Sequence, residues 1–301
     1  VATANIVIHQ NMKPVFVDVE PLTYNIDPDK IEERITRRTK AIIPVHLLGC
    51  PASMQSTIEI ARQHGLEVIE DSCECMFAQY RGKSVGSLGS IGCFSTYVAH
   101  ILVTGVGGLA ITNDSELATS MRSLMNHGRD GIYISATDDQ GLDGAELEEV
   151  VARRFSFIEL GHSMRCTELE AALGLGQLAR ANQLVRRRRE IAARFSAELL
   201  RFEDRVQVPY CPSDRTHSYM MYGILLKNEP KTDLVNYLEH LNIETRDMLP
   251  LVNQPIYSRL YGDLEDQYPV AKRINRSGFY VGCSPYMADD EVDFVVEAMS
   301  S

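Results

Sequence analysis

Residues 41–71, AIIPVHLLGCPASMQSTIEIARQHGLEVIED, hold a complete strand–helix–strand unit. Ala41–Leu47 is a short apolar run of strand length. Ser53–His64 spaces its apolar residues at helical intervals, and Gly65 stands where a helix closes on a left-handed residue. Glu67–Glu70 is a further apolar run and ends at Asp71. Two strands joined through a helix predict parallel pairing, because the chain must cross back before it re-enters the sheet.

The alternation continues outward. Upstream, Pro14–Val19 (PVFVDV) predicts a strand, and Asp27-Pro28 opens a helix through Ile35, with Asp as N-cap and Pro in the first turn. Downstream, strands are expected near Ile91–Ser95 and Leu109–Thr112, then a helix from Asp114 to about Asn126. This order predicts an α/β fold with a mainly parallel central sheet covered by helices on both faces. Residues 130–150 are polar, acidic and aperiodic, and read as a loop. Thr167 with Glu170 has capping-box spacing and begins a helical pattern reaching about Phe202, with a break near Arg180. Strand-like Tyr219–Leu226, a helix Thr232–Leu241 and a closing helix from Asp289 predict an α+β layer. The chain therefore divides into a large domain, residues 1–180, and a smaller C-terminal domain, residues 181–301. Val1-Ala2-Thr3-Ala4-Asn5 reads as the middle of an element, so the large domain is expected to lack its N-terminal part.

The 301 residues are 45% hydrophobic and 24% charged, the composition of an ordinary globular protein. A net charge of −11 argues against nucleic acid or an anionic membrane as partner. The run Arg186–Arg189 falls within a helical pattern and reads as a solvated face. Seven cysteines, an odd number set mostly in apolar runs, suit reduced thiols in a cytoplasmic protein. Cys73 and Cys75 have no second close pair, so a metal or iron–sulfur site has little support. No apolar run approaches the roughly 18 residues of a membrane span.

The chemistry gathers at the strand ends. Asp71 lies at the carboxyl end of a strand, where open α/β sheets bind ligands, although by itself it is an ordinary turn acid. Ser95 ends another strand. Gly92-Cys93-Phe94-Ser95-Thr96-Tyr97-Val98-Ala99-His100, then Thr104-Gly105-Val106-Gly107-Gly108, has the layout of the segment that carries the Schiff-base lysine of a pyridoxal-phosphate (PLP) enzyme, with His100 in the lysine position. Histidine cannot make that stable linkage, but it moves protons near neutral pH.

Together with Pro14–Val19, Pro44-Val45-His46-Leu47-Leu48-Gly49, Val68–Asp71, Gly82–Gly89, Asn126-His127-Gly128-Arg129 and Glu168–Leu178, these segments resemble, nearly end to end, the DegT/DnrJ/EryC1/StrS family of PLP-dependent sugar aminotransferases. The resemblance implies an aspartate-aminotransferase-type fold, a homodimer with sites built from both subunits, a nucleotide-sugar substrate and glutamate as amino donor. It implies that Asp71 pairs with the pyridine nitrogen and that Ser95 binds the cofactor phosphate. Ser163, in Gly161-His162-Ser163-Met164-Arg165, stands for an asparagine that would help hold that phosphate across the dimer. Val106 replaces the usual Glu of the glycine turn, and the family's Gly-Ser/Thr-rich phosphate turn has no counterpart. Lys83 lies in a Gly-Lys turn the family shares, so it is not a displaced catalytic lysine.

Tyr97-Val98-Ala99-His100 and Asp71-Ser72-Cys73-Glu74 are similar to one branch, the 3-dehydratases of 4-keto-6-deoxy nucleotide sugars; Glu74 stands beside the cofactor where aminotransferases place Gln or His. No cysteine occurs between Cys93 and Cys166, which points to the branch without an iron–sulfur cluster. The expected chemistry is loss of the 3-hydroxyl with the amine form of the cofactor (PMP), His100 removing the C4′ proton. Two alternatives stay open: a sugar aminotransferase with a substituted lysine, and a silent protein that binds PLP or a nucleotide sugar.

Overall fold

Helix α1 (Ala2–His9) leads into an irregular segment, and the strand–helix–strand unit follows it. The computed structural model describes residues 1–249 and 251–300. Strands β1 (Ala41–Ile42) and β2 (Glu67–Asp71) pair in parallel, Ala41 opposite Glu67, and α2 (Met54–His64) joins them and packs on both. Gly65 ends α2 at φ 62°, as expected of a glycine C-terminal turn. β1 is shorter than its apolar run because Pro44 has no N–H to give a ladder; Val45 rejoins Asp71 only as an isolated bridge.

A small hairpin, β3 (Gln79–Tyr80) and β4 (Lys83–Ser84), precedes β5 (Ile91–Ser95) and β6 (Gly108–Ile111). The central sheet runs β1-β2-β5-β6. β5 is parallel to β2, with Asp71 opposite Cys93, whereas β6 is antiparallel. Every residue of β6, the antiparallel edge strand, is exposed.

Asp114 caps α3 (Ser115–Met125) through the backbone N–H groups of Glu116 and Leu117. The loop expected over 130–150 instead carries α4 (Gly144–Arg153). Its acidic residues hid a narrow apolar stripe ending at buried Val150, and Arg153 ties it to Asp130 at 2.8 Å. The capping box of α5 (Glu168–Leu178) forms as read, and the break falls at Arg180, ahead of α6 (Ala181–Leu199).

The remaining elements are β7 (Val206–Gln207), β8 (Met221–Leu226), α7 (Thr232–His240), β9 (Thr245–Asp247), α8 (Pro255–Tyr261), α9 (Pro269–Ser277), β10 (Gly278–Gly282) and α10 (Asp289–Ser300). The strands form an antiparallel sheet, β7-β8-β10-β9. Tyr222 and Ile224 of β8 and Phe279 of β10 pack with Ile191 and Phe195 of α6 and Val292 of α10. Among the described residues no helix is long and apolar enough to cross a membrane.

Two upstream expectations are corrected. Pro14–Val19 forms no strand, and only Val19 bridges, to Ile26. Its buried Asp18 accepts instead from the N–H groups of Val270 and Ala271, capping α9 from 252 positions away. Asp27 does cap, accepting from Asp29 N at 3.1 Å, but Pro28–Lys30 and Glu32–Arg34 close as 3₁₀ turns. A nine-residue segment with one fully buried anchor, Ile31, has too little apolar face to stabilise an α-helix.

Glu70 locks the middle of the large sheet. Its carboxylate is fully buried and accepts from Gly86, Leu88 and Gly89 N–H and from His46 Nε2 at 3.0 Å. His46 Nδ1 accepts from Ala52 N, so its proton sits on Nε2. Burial by itself would raise the Glu70 pKa, but His46 and the backbone donors outweigh it and hold the carboxyl below its ordinary value. A depressed folded pKa contributes stability above the unfolded value, about 4.3, that is lost as pH falls through the folded value. Glu70→Gln is expected to lose about 3 kcal/mol at neutral pH. In urea titrations the gap between variant and parent should shrink on acidification; a gap independent of pH would contradict this account.

Candidate active site

β2 and β5 end side by side, and their register fixes the site. With Asp71 opposite Cys93, Ser95 lies two residues further along the neighbouring strand, at the same carboxyl edge. Asp71 continues the ladder through its backbone, receiving from His46 N and donating to Pro44 O, both at 2.9 Å. Its side chain is thereby directed out of the strand end, where Oδ1 accepts from Cys73 N at 3.2 Å.

Glu74 follows in the turn after β2. Its Oε2 accepts from Leu48 N at 2.7 Å, across 26 positions. Burial chiefly, and then the charge of Asp71, raises its pKa, while the Leu48 N–H opposes them. Leu48 itself sits at φ 56°, a left-handed conformation unfavourable for a branched side chain. Strain of this kind persists only where its surroundings enforce it, and here the N–H is aimed at Glu74. Burial followed by the charge of Asp71 also pushes up the Cys73 and Cys93 thiols, so neither is a thiolate at neutral pH.

From Ser95 the chain enters a closed loop. Thr96 N donates to Gly107 O, Thr104 N to Thr96 O, and the two threonine hydroxyls meet at 2.6 Å. Gly107, at φ 140°, must be glycine, since a Cβ would lie 2.8 Å from Thr96 Oγ1. Ile101 and Leu102 anchor the loop by packing with Val185 of α6 and Met220. His100 is thus presented on a short rigid turn, its N–H bonded to Tyr97 O at 2.9 Å and its ring edge-on to Tyr97. Burial lowers the His100 pKa, against the opposing charge of Asp71. The imidazole is therefore uncharged at neutral pH, the form that accepts a proton. Its Nδ1 is buried and has no hydrogen-bond partner.

The structure gathers Asp71, Glu74, Ser95 and His100 at the carboxyl edge. It does not bring Ser163 to them. Ser163 bridges to Asn126 and accepts from Arg165 Nη2 at 3.2 Å, on an exposed segment. Sequence reasoning gave no role to Leu48, whose backbone holds Glu74, or to Thr3, whose hydroxyl reaches Asp71. Thr3 lies in the Val1–Asn5 stretch, but nothing there indicates a contact 68 positions away.

An orphaned, buried imidazole nitrogen beside a carboxylate leaves hydrogen-bonding capacity unused, which suits a polar aromatic ligand better than an empty cleft. The donor set fits a pyridoxal-type cofactor: a carboxylate for a ring nitrogen, and a hydroxyl and glycine backbone for a phosphate.

A mostly parallel sheet with its polar groups at the carboxyl edge, next to an antiparallel layer, defines an α/β enzyme of the aspartate-aminotransferase type. The sequence profile of the DegT/DnrJ/EryC1/StrS aminotransferase family matches residues 1–300, and the chain belongs to that family. It is 34% identical over 303 residues to the GDP-perosamine synthase of Caulobacter vibrioides, covering 99% of this chain and 76% of that one. It is 30% identical over 308 residues to the dTDP-4-dehydro-2,6-dideoxy-D-glucose 3-dehydratase of Saccharopolyspora spinosa, covering 99% of this chain and 66% of that one. The X-ray structure of an aminotransferase from Psychrobacter cryohalolentis matches with a TM-score of 0.88 at 28% identity, over 99% of this chain and 77% of that one.

Proposed function

We propose that this chain is a PLP/PMP-dependent enzyme that removes the 3-hydroxyl of a 4-keto-6-deoxy nucleotide sugar, with His100 as the proton-transferring group. The observation that carries this reading is the His100 imidazole: uncharged, with a buried unpartnered nitrogen, on a turn that resembles the family's lysine-bearing segment. When bound, the cofactor supplies an electron sink conjugated to the sugar. Asp71 would hold the pyridine nitrogen protonated. Ser95 and the backbone of the glycine turn would take the phosphate. His100 would take the proton from C4′ and help the 3-hydroxyl depart. Burial, and then the charge of Asp71, raises the pKa of Glu74, which would serve as a further proton-transferring group in the turn after β2. Glutamate would restore the amine form.

A homodimer belongs to this proposal. Phe155 (75% exposed), Leu160 (98%), Leu169 (77%) and Leu175 (69%) offer an apolar surface of the kind a second copy covers. Ser163 lies on the same stretch, where it would serve a partner's phosphate. The proposal also divides the chain into residues 1–180 and 181–301; the helix break at Arg180 and the two separate sheets support that division.

Transamination is the second reading, favoured by the family's own description as aminotransferases. The deciding experiment supplies purified protein with PLP, glutamate and a 4-keto-6-deoxy nucleotide sugar and weighs the product. Loss of the 3-hydroxyl is expected. Gain of an amine would replace this reading with transamination, and unchanged substrate would support a silent binding protein.

A further inference from the structure

The Asp71 carboxylate is gripped from two sides. Oδ1 accepts from Cys73 N, in its own turn, at 3.2 Å. Oδ2 accepts from Thr3 Oγ1, in the first turn of α1, at 2.7 Å. The second contact is the shorter, and it joins groups that only the tertiary fold brings together.

α1 is itself pinned. Tyr257 of α8, fully buried, places its hydroxyl 2.7 Å from Asn5 Oδ1 and 3.2 Å from Val1 O. Phe16 packs edge-on against the Tyr257 ring at 5.8 Å. A helix held at Val1 and Asn5 cannot roll, so Thr3 between them keeps one direction. Its branched side chain restricts χ1 further, and the hydroxyl points at Asp71.

We propose that Thr3 is the positioning residue for Asp71: its hydroxyl fixes the plane of the carboxylate so that the remaining lone pairs face the pyridine nitrogen. This rests on the role given to Asp71 under the proposed function. The terminal torsion of an aspartate is broad, and the Cys73 N–H alone leaves the carboxylate free to turn about that contact. With Thr3 in place both oxygens are tied, and each still has a lone pair to offer. A well-aimed carboxylate stabilises the protonated ring nitrogen more than one that samples several orientations. The alternative is that Thr3 only packs α1 against the sheet.

The test compares the chain with its Thr3→Val, Thr3→Ala, Thr3→Ser and Asp71→Asn variants, each incubated with PLP. Thr3→Val and Thr3→Ala are expected to lower kcat about tenfold, the factor carried by one hydrogen bond to a charged group, with little change in KM. They should also move the pH midpoint of the bound-PLP absorbance downward, because the ring nitrogen is held less firmly protonated. Thr3→Ser keeps the hydroxyl and should restore both readouts. If Thr3→Val lowers the melting temperature, Thr3→Ala, which keeps the best helix former in α1, decides. Thr3→Val and Thr3→Ala matching the parent in absorbance and kcat, while Asp71→Asn is crippled, would overturn the proposal and leave the role of Asp71 standing. A near-normal Asp71→Asn would instead remove the reading of Asp71, and this inference with it.

Discussion

Asp71→Asn should leave the fold intact and cut turnover by about a hundredfold or more. Asparagine is nearly isosteric, and its side-chain oxygen can still accept from Cys73 N or from the Thr3 hydroxyl, so the turn after β2 has little reason to move. Ser95 and the loop backbone are untouched, so most of the cofactor affinity should remain. The loss falls on charge. A neutral amide cannot stabilise a protonated pyridine nitrogen, and the ring then accepts electrons poorly at the step where they are released. Thermal melting and PLP titration check the first half of the expectation, and single-turnover rates the second. Turnover close to the parent's would mean that Asp71 is only a turn acid.

His100→Lys is expected to change the chemistry rather than merely slow it. The Thr96–Thr104 neck and the Ile101–Leu102 anchor hold this turn, and a lysine there extends further into the site than an imidazole. The variant should attach PLP covalently, so that borohydride reduction leaves a stable mass increase on residue 100, whereas the parent should show no lysine adduct. Dehydration should fall by about a hundredfold or more, the contribution of a well-placed proton-transfer group, and amine transfer should rise. A variant that binds PLP without a covalent bond would show that residue 100 does not face the cofactor.

Much of the candidate site was legible because its residues lie in local patterns. Asp71 and Ser95 end apolar runs of strand length, and strand ends point into solvent at one edge of a parallel sheet. His100 stands between a strand and a group of turn glycines, which marks a loop whatever the rest of the fold does. Helix ends were legible for the same reason: Gly65, Asp114 and the Thr167–Glu170 box act within four residues. Failures came where local pattern and long-range use diverge. PVFVDV has strand composition, yet Asp18 serves the backbone of α9. The acidic stretch before Arg153 conceals a helix, because one buried position, Val150, is too few to show as periodicity.

The alternating α/β order, the family and the histidine of the Tyr97–Gly108 segment could be read from the chain alone, since each depends on residues adjacent in it. How the charged groups are set follows from contacts between distant segments. The raised pKa of Glu74 depends on burial and on Asp71 nearby, the lowered pKa of Glu70 on His46 and the Gly86 and Gly89 N–H groups, and the setting of the Asp71 carboxylate on its contact with Thr3. Electrostatic free energy depends on distances through space and on excluded water, and neither is a function of spacing along the chain.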